Sequence, residues 1–270
     1  MLKARSLVCL SLVLALVGVS AQAATKTKKG AVASRSELRT TSGFDLENKL
    51  VIEPSFGFSF ISPGDANSVI RDDTDALQKK GYKSYNPSDI GSAISYGIAT
   101  TYRVTPDVGL GVGFSRLSAG ADGSSKVNDQ TINGNYSVAA TMLTAETRFT
   151  FLRSADRKFE AVLSPFVGIG FYNGSTQFSG TGMANGLSTE ENTSAKGIVF
   201  GSTVGGRYWF SPNIAWSINA GYRSAKSGDL KIDSQRNTGD DVGSYAENNG
   251  KKSTIDASSV VIGTGITLSI

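Results

Sequence analysis

The sequence predicts an all-β chain, an eight-stranded antiparallel up-and-down transmembrane β-barrel with long extracellular loops and short periplasmic turns. Three observations carry this. Eight short segments alternate apolar and polar residues with the period of two that a strand imposes. Links of a few residues alternate with links of roughly fifteen to thirty, as in membrane barrels. Glycine, at 31 of 270 residues, exceeds the average of about 7% and falls largely within the strands.

Residues 1–23 read as an export signal. Lys3 and Arg5 precede the apolar run Leu7 to Val19, and Ala21-Gln22-Ala23 places small residues before a cut ahead of Ala24. That run is shorter than the ~20 residues a spanning helix needs. Cys9, the chain's single cysteine, lies inside it, so the mature chain is expected to carry no disulfide or thiolate metal site. Without Lys3 and Arg5 the net charge falls from +4 to +2, which argues against nucleic acid as a partner. Residues 24–48 form a basic periplasmic tail with Lys26, Lys28, Lys29, Arg35 and Arg39, read as solvated rather than as a contact to anionic lipid or cell-wall polymer. The barrel itself spans 49–270.

The first strand, Leu50 to Ile61, sets Ile52, Pro54, Phe56, Phe58 and Phe60 on one face. The second, Ala93 to Val104, turns Ile94, Tyr96, Ile98, Tyr102 and Val104 outward and ends at the turn Thr105-Pro106-Asp107. In the third, Val108 to Leu117, Val108, Leu110, Val112 and Phe114 alternate with Gly109, Gly111, Gly113 and Ser115. The fourth, Ser137 to Leu152, alternates cleanly only in its lower half, and its apolar upper half predicts a bulge near Val138. The fifth (Phe159 to Tyr172), sixth (Ile198 to Phe210), seventh (Ile214 to Ser224) and eighth (Ser258 to Ile270) follow, with a second proline turn at Ser211-Pro212-Asn213. Pro54 and Pro165 are those of edge strands, which keeps an aqueous sandwich as the rival fold. The uniformly apolar and aromatic outer face opposes it. Long links fall near 62–92, 118–136, 173–197 and 225–257. Outward aromatics sort into two interfacial belts, with Tyr102, Phe149, Phe151, Phe159, Tyr208, Phe210 and Trp216 at one and Phe60, Tyr96, Phe114, Phe171 and Tyr222 at the other.

Three stretches carry a resemblance. Ser164-Pro165-Phe166-Val167-Gly168-Ile169-Gly170, then Gly205-Gly206-Arg207-Tyr208-Trp209-Phe210-Ser211-Pro212-Asn213, then Ala220-Gly221-Tyr222-Arg223 resemble strands five, six and seven of small eight-stranded OmpA-like and OmpX-like outer-membrane barrels. The resemblance covers roughly residues 50–270. It implies a bacterial outer-membrane location, contact with outer-membrane lipid and lipopolysaccharide, and insertion by the barrel-assembly machinery. Ile270 stands where that family commonly ends in an aromatic residue.

The chain contains no histidine. Enzymes of this architecture commonly use one for proton transfer, the side chain best matched to that work near neutral pH. The chain is therefore expected not to be an enzyme and to need no cofactor or metal. The alternation places Glu53, Arg103, Glu146, Arg148, Glu160 and Arg207 in the lumen, all in the periplasmic half. Eight strands leave an interior that side chains nearly fill, so these charges must pair. A salt-bridge plug across the barrel floor is the reading preferred to a gated ion pathway. Arg223 is expected near the other mouth, organising the loops. Gly109, Gly111, Gly113, Gly168 and Gly170 lack the strand-then-helix context of a phosphate loop and read as room for larger lumen neighbours. Asp72, Asp73 and Asp75 match no calcium-loop spacing and read as a solvated patch. The functional expectation is a structural or surface-interaction role through the long loops, with an extracellular or cell-wall ligand. The alternative is a narrow channel or transporter for ions or small apolar solutes.

Overall fold

The computed structural model describes residues 49–181, 188–239, 241–248 and 250–270. The export signal and the basic tail lie outside these. The described elements are β1 (Leu50–Ile61), α1 (Gly64–Lys79), β2 (Ser92–Arg103), β3 (Val108–Val127), β4 (Gln130–Arg153), β5 (Phe159–Ser179), β6 (Thr189–Ser211), β7 (Ile214–Ser227), β8 (Lys231–Arg236), β9 (Glu247–Asn248), β10 (Lys251–Lys252) and β11 (Ser259–Ser269).

Strands β1 to β7 and β11 form an antiparallel ring that closes through β1–β11 and β5–β6. Following paired residues from Lys196 through Phe171, Thr141, Arg116, Tyr96, Phe56, Thr264 and Ile218 returns to β6 at Gly206 instead of Lys196, a shear of ten residues. Eight strands with that shear tilt by roughly 40°. The outer face carries a continuous exposed band that includes Phe58, Ile98, Val112, Ile169, Phe200, Val204, Ile218 and Ile262. Such an area far exceeds the apolar patches of water-soluble surfaces. It suits hydrocarbon as solvent, and the closed ring leaves no unpaired edge within it. No described helix is long and apolar enough to cross a membrane.

The turns at 104–107 and 211–213 share one device. The hydroxyl of Thr105 accepts from the backbone N–H groups of Asp107 (3.3 Å) and Val108 (3.0 Å), and that of Ser211 from Asn213 (3.4 Å) and Ile214 (3.2 Å). Neither proline strand is an edge. The β1–β11 ladder lapses beside Pro54 and the β4–β5 ladder beside Pro165, while the opposite ladder continues in each case.

The structure corrects two expectations about the strands and adds elements within two of the links. β4 has no slip at Val138, which pairs in phase with Ala119 and Gly174; the irregularity lies between Thr150 and Leu152. Val138, Ala140 and Met142 are apolar because they point into an apolar core, not because the phase changes. The links at 118–136 and 173–197 are mostly strand. β3 and β4 pair as far as Val127 and Gln130, leaving Asn128 and Asp129 as the link, with Asn128 left-handed at φ 54°. Beyond the membrane both sheet faces can be polar, so backbone pairing outlasts the hydrophobic alternation. The first long link contains α1, and the fourth contains β8, which extends the sheet beside β6, and the β9–β10 hairpin.

The long-loop end of the lumen is filled. Ile70 of α1, Ile90, Leu230, Ile232, Ile255 and Ala257 pack with Leu117, Val138, Met142, Tyr172 and Val199 of the wall. Asn67 fixes α1 by exchanging two hydrogen bonds with the backbone of Ile90, and Asp65 accepts from the N–H and hydroxyl of Thr254. Asp73 is not part of a solvated patch. It is partly buried and accepts from the Tyr136 hydroxyl at 3.2 Å. Burial, with Asp72 alongside, pushes its carboxyl up to about 6, against a gain from Tyr136 that lowers it. A seated Asp73 thus holds its proton more tightly than a free one. Its contribution to seating α1 is complete below the ordinary aspartate value of 3.8 and is lost as pH rises through about 6. Hydrogen exchange of α1 should therefore be slower at pH 4 than at pH 7.5, after correction for intrinsic rates, and Asp73→Asn should remove the difference.

Candidate functional site: the lumen charge network

The lumen near the short-turn end is polar because alternate residues of the tilted strands converge there. All six predicted lumen charges meet. Glu53 of β1 accepts from Arg148 Nη1 of β4 (2.9 Å) and from Arg207 Nη2 (2.6 Å) and Nε (3.1 Å) of β6. Its remaining capacity is taken by Ser217 (3.2 Å) and Thr267 (3.1 Å). Arg148 Nε donates to Glu146 at 2.8 Å, and Thr101 donates to the same oxygen at 3.0 Å. Arg103 makes a two-pronged pair with Glu160, Nη1 to Oε1 at 3.0 Å and Nη2 to Oε2 at 2.8 Å. Glu160 stands opposite Arg207 across the β5–β6 ladder, which joins the two groups. Glu53, Arg103, Arg148, Glu160 and Arg207 are buried, and the Glu146 side chain is nearly so.

Sequence reasoning missed two charged members and one aromatic. Arg153, at the end of β4, reaches Glu160 with Nε (3.1 Å) and Nη2 (3.0 Å), and Asp107 with Nη1 (3.2 Å). The signal was present, because the hairpin places Arg153 directly opposite Glu160. Trp209 is fully buried, with the Arg103 guanidinium 5.8 Å from its ring centre, a cation–π contact. Its inward direction follows from the outward Tyr208 and Phe210.

The glycines explain how so many long side chains fit. Every ring strand except β3 supplies a polar or charged member of the network. β3 supplies Gly109 and Gly111, whose absent Cβ atoms would meet Thr101. Gly113 and Gly170 likewise make room for Thr144 and the Tyr172 ring, as expected. Gly111 and Gly168 do something further, since a Cβ there would strike the backbone carbonyls of Thr100 and Leu143. These two mark close approach of neighbouring strands.

Taking charges out of water costs several kcal/mol per ion, which only well-formed pairs with satisfied remaining valences offset. Here Arg103, Arg148, Arg153 and Arg207 face Glu53, Glu146, Glu160 and Asp107, four against four. Among the described residues no cluster of His, Cys, Asp and Glu could hold a metal. Arg223 lies farther up the lumen and bonds to strand residues Ser59 and Ser259, not to the loops. Between it and the floor is a cavity of ≈ 180 Å³ lined by Ser95, Ser115, Thr203 and Asn219 among others.

No protein-family model and no curated protein sequence matches the chain. Solved structures similar to it include the outer membrane protein OprG from Pseudomonas aeruginosa, with 12% identity, TM-score 0.45, and coverage of 85% of this chain and 99% of that one. Ail, the attachment invasion locus protein of Yersinia pestis, has 14% identity, TM-score 0.39, and coverage of 83% and 100%. The outer membrane protease OmpT from Escherichia coli has 9% identity, TM-score 0.39, and coverage of 83% and 97%. Ring order, shear and apolar band define the architecture in the chain itself: it has the fold of a small eight-stranded outer-membrane barrel.

Proposed function

We propose that the protein is a bacterial outer-membrane barrel with a shut lumen, whose task is structural or surface-interactive and is carried by its outer end. One observation carries this reading: the lumen is filled twice, by the ion-pair network near the short turns and by the apolar packing of α1 and the fourth loop against the wall. A solute path would have to cross both. In this reading the short turns face the periplasm, as in other barrels of this type. The extended β3–β6 sheet, α1 and residues 228–258 then stand outside. Its partners would be lipopolysaccharide around the wall, the assembly machinery during insertion, and an extracellular or cell-wall ligand at the tip. The absence of histidine from the sequence favours a non-catalytic role.

The test is binding by purified, folded barrel to whole cells, host matrix and cell-wall polymer, beside a variant with residues 233–243 replaced by a short Gly-Ser link. Binding by the parent that drops at least tenfold in the variant is the expected result. Unchanged surface binding together with altered solute uptake by cells would favour the transport alternative instead.

A further inference from the structure

Arg223 is the lumen cation that the ion-pair network leaves out. It is 5% exposed, and Nη2 donates to Ser59 Oγ at 3.1 Å and Ser259 Oγ at 3.0 Å. Its Nε has no partner. Among the described residues Arg223 forms no ion pair. The nearby Asp256 is engaged by Lys226 Nζ at 3.1 Å and by the N–H of Ser258 at 3.0 Å. The floor network is balanced within itself, so none of its carboxylates is spare.

A guanidinium stays charged in a protein. Serine hydroxyls or a water satisfy its hydrogen bonds but do not cancel its charge, and a buried unpaired charge is strongly disfavoured. Arg223 lines the lumen cavity, whose ≈ 180 Å³ exceeds the ~30 Å³ share of one water several times. Ser95, Ser115, Thr203 and Asn219 offer further donors to its contents.

We propose that the lumen cavity holds one small monovalent anion of halide size, bound by Arg223 Nε. One charge remains to be cancelled, hence a single monoanion. Within a largely apolar lining, Ser95, Ser115, Thr203 and Asn219 donate hydrogen bonds, as an anion needs, and the carboxylates Glu53 and Glu146 on the floor side are already paired with Arg148 and Arg207. Both ends of the lumen are packed, which favours a small ion over an organic one.

Bromide is the probe. The full-length protein, folded in detergent, is crystallised from sodium bromide and measured at the bromine absorption edge. Its thermal midpoint is compared in sodium bromide and in sodium gluconate, a larger anion, at equal ionic strength. An anomalous peak within about 3.5 Å of Arg223 Nε, with a midpoint several degrees higher in bromide, is the expected result. Arg223→Met should lose both the peak and the salt difference. Arg223→Gln, which keeps polarity but not the charge, should likewise lose the salt difference, and it serves alone if Arg223→Met does not fold. Equal midpoints with no lumen peak would mean that water fills the cavity, and would overturn the proposal. A peak with equal midpoints would mean an adventitious ion only, and a midpoint shift without a lumen peak would place the anion elsewhere. Either result also overturns it.

Discussion

Glu53→Gln should destabilise the folded barrel by about 3–5 kcal/mol, the range for removing one partner of a buried ion pair. The effect is large because one carboxylate serves two buried guanidiniums, Arg148 and Arg207, and two hydroxyls, Ser217 and Thr267. Glutamine keeps the shape but leaves Arg207 with only its more distant relation to Glu160 across the ladder. Urea unfolding of the barrel in lipid vesicles, followed by tryptophan fluorescence, reads the change. A second variant separates pairing from packing. Replacing Glu53, Glu146, Arg148 and Arg207 together by Leu, Leu, Met and Met removes the charges as a set, and should recover most of the loss, since apolar replacements of whole buried pairs are often neutral. If Glu53→Gln costs under ~1 kcal/mol, as an exposed pair would, the network contributes little.

Trp209→Ala should cost a similar ~3–5 kcal/mol, the usual toll of truncating a buried aromatic. The ring is fully buried among the floor charges beside Arg103. Its loss leaves a void that the rigid ring of strands cannot close, and removes the apolar face against which Arg103 is held for its two bonds to Glu160. Trp209→Phe should cost clearly less, because the indole Nε1 makes no hydrogen bond and its removal breaks none. The same urea titration distinguishes them, with Trp216 as the remaining fluorophore. Equal losses for Ala and Phe would contradict this, because the volume that Phe retains would then count for nothing.

How far the sequence could be read followed the solvent. Where the wall meets hydrocarbon, outward residues must be apolar and lumen residues small or polar, so β1, β2 and β11 lie within one residue of expectation at each end. The six lumen charges fell out of the same alternation, because each occupies the face opposite a lipid-facing neighbour. Above the membrane that constraint ends. Gly120, Asp122 and Ser124 pair with Ser137, Asn135 and Asn133 as regular strand, yet they carry no apolar period to reveal it. Helix α1 escaped notice because it holds few large apolar residues, burying only Asn67, Ile70 and Leu77. The apparent slip at Val138 had the opposite cause. Its inward face is apolar because a cap of loop residues meets it, and that cap is long-range structure no local pattern encodes. Arg153 and Trp209 were legible from pairing and alternation respectively, and Tyr172 from its place one step beyond Gly170 on the lumen face.

Ionic conductance tests most directly whether the lumen is closed at both levels. Purified barrel inserted in a planar bilayer at neutral pH and 1 M KCl should show no steady openings above baseline at ±100 mV. The combined Glu53→Ala, Arg148→Ala and Arg207→Ala variant that also lacks α1 (residues 64–79) should conduct. Regular, long-lived openings by the unmodified protein would contradict the account, since current would then pass where the ion pairs and the apolar cap stand.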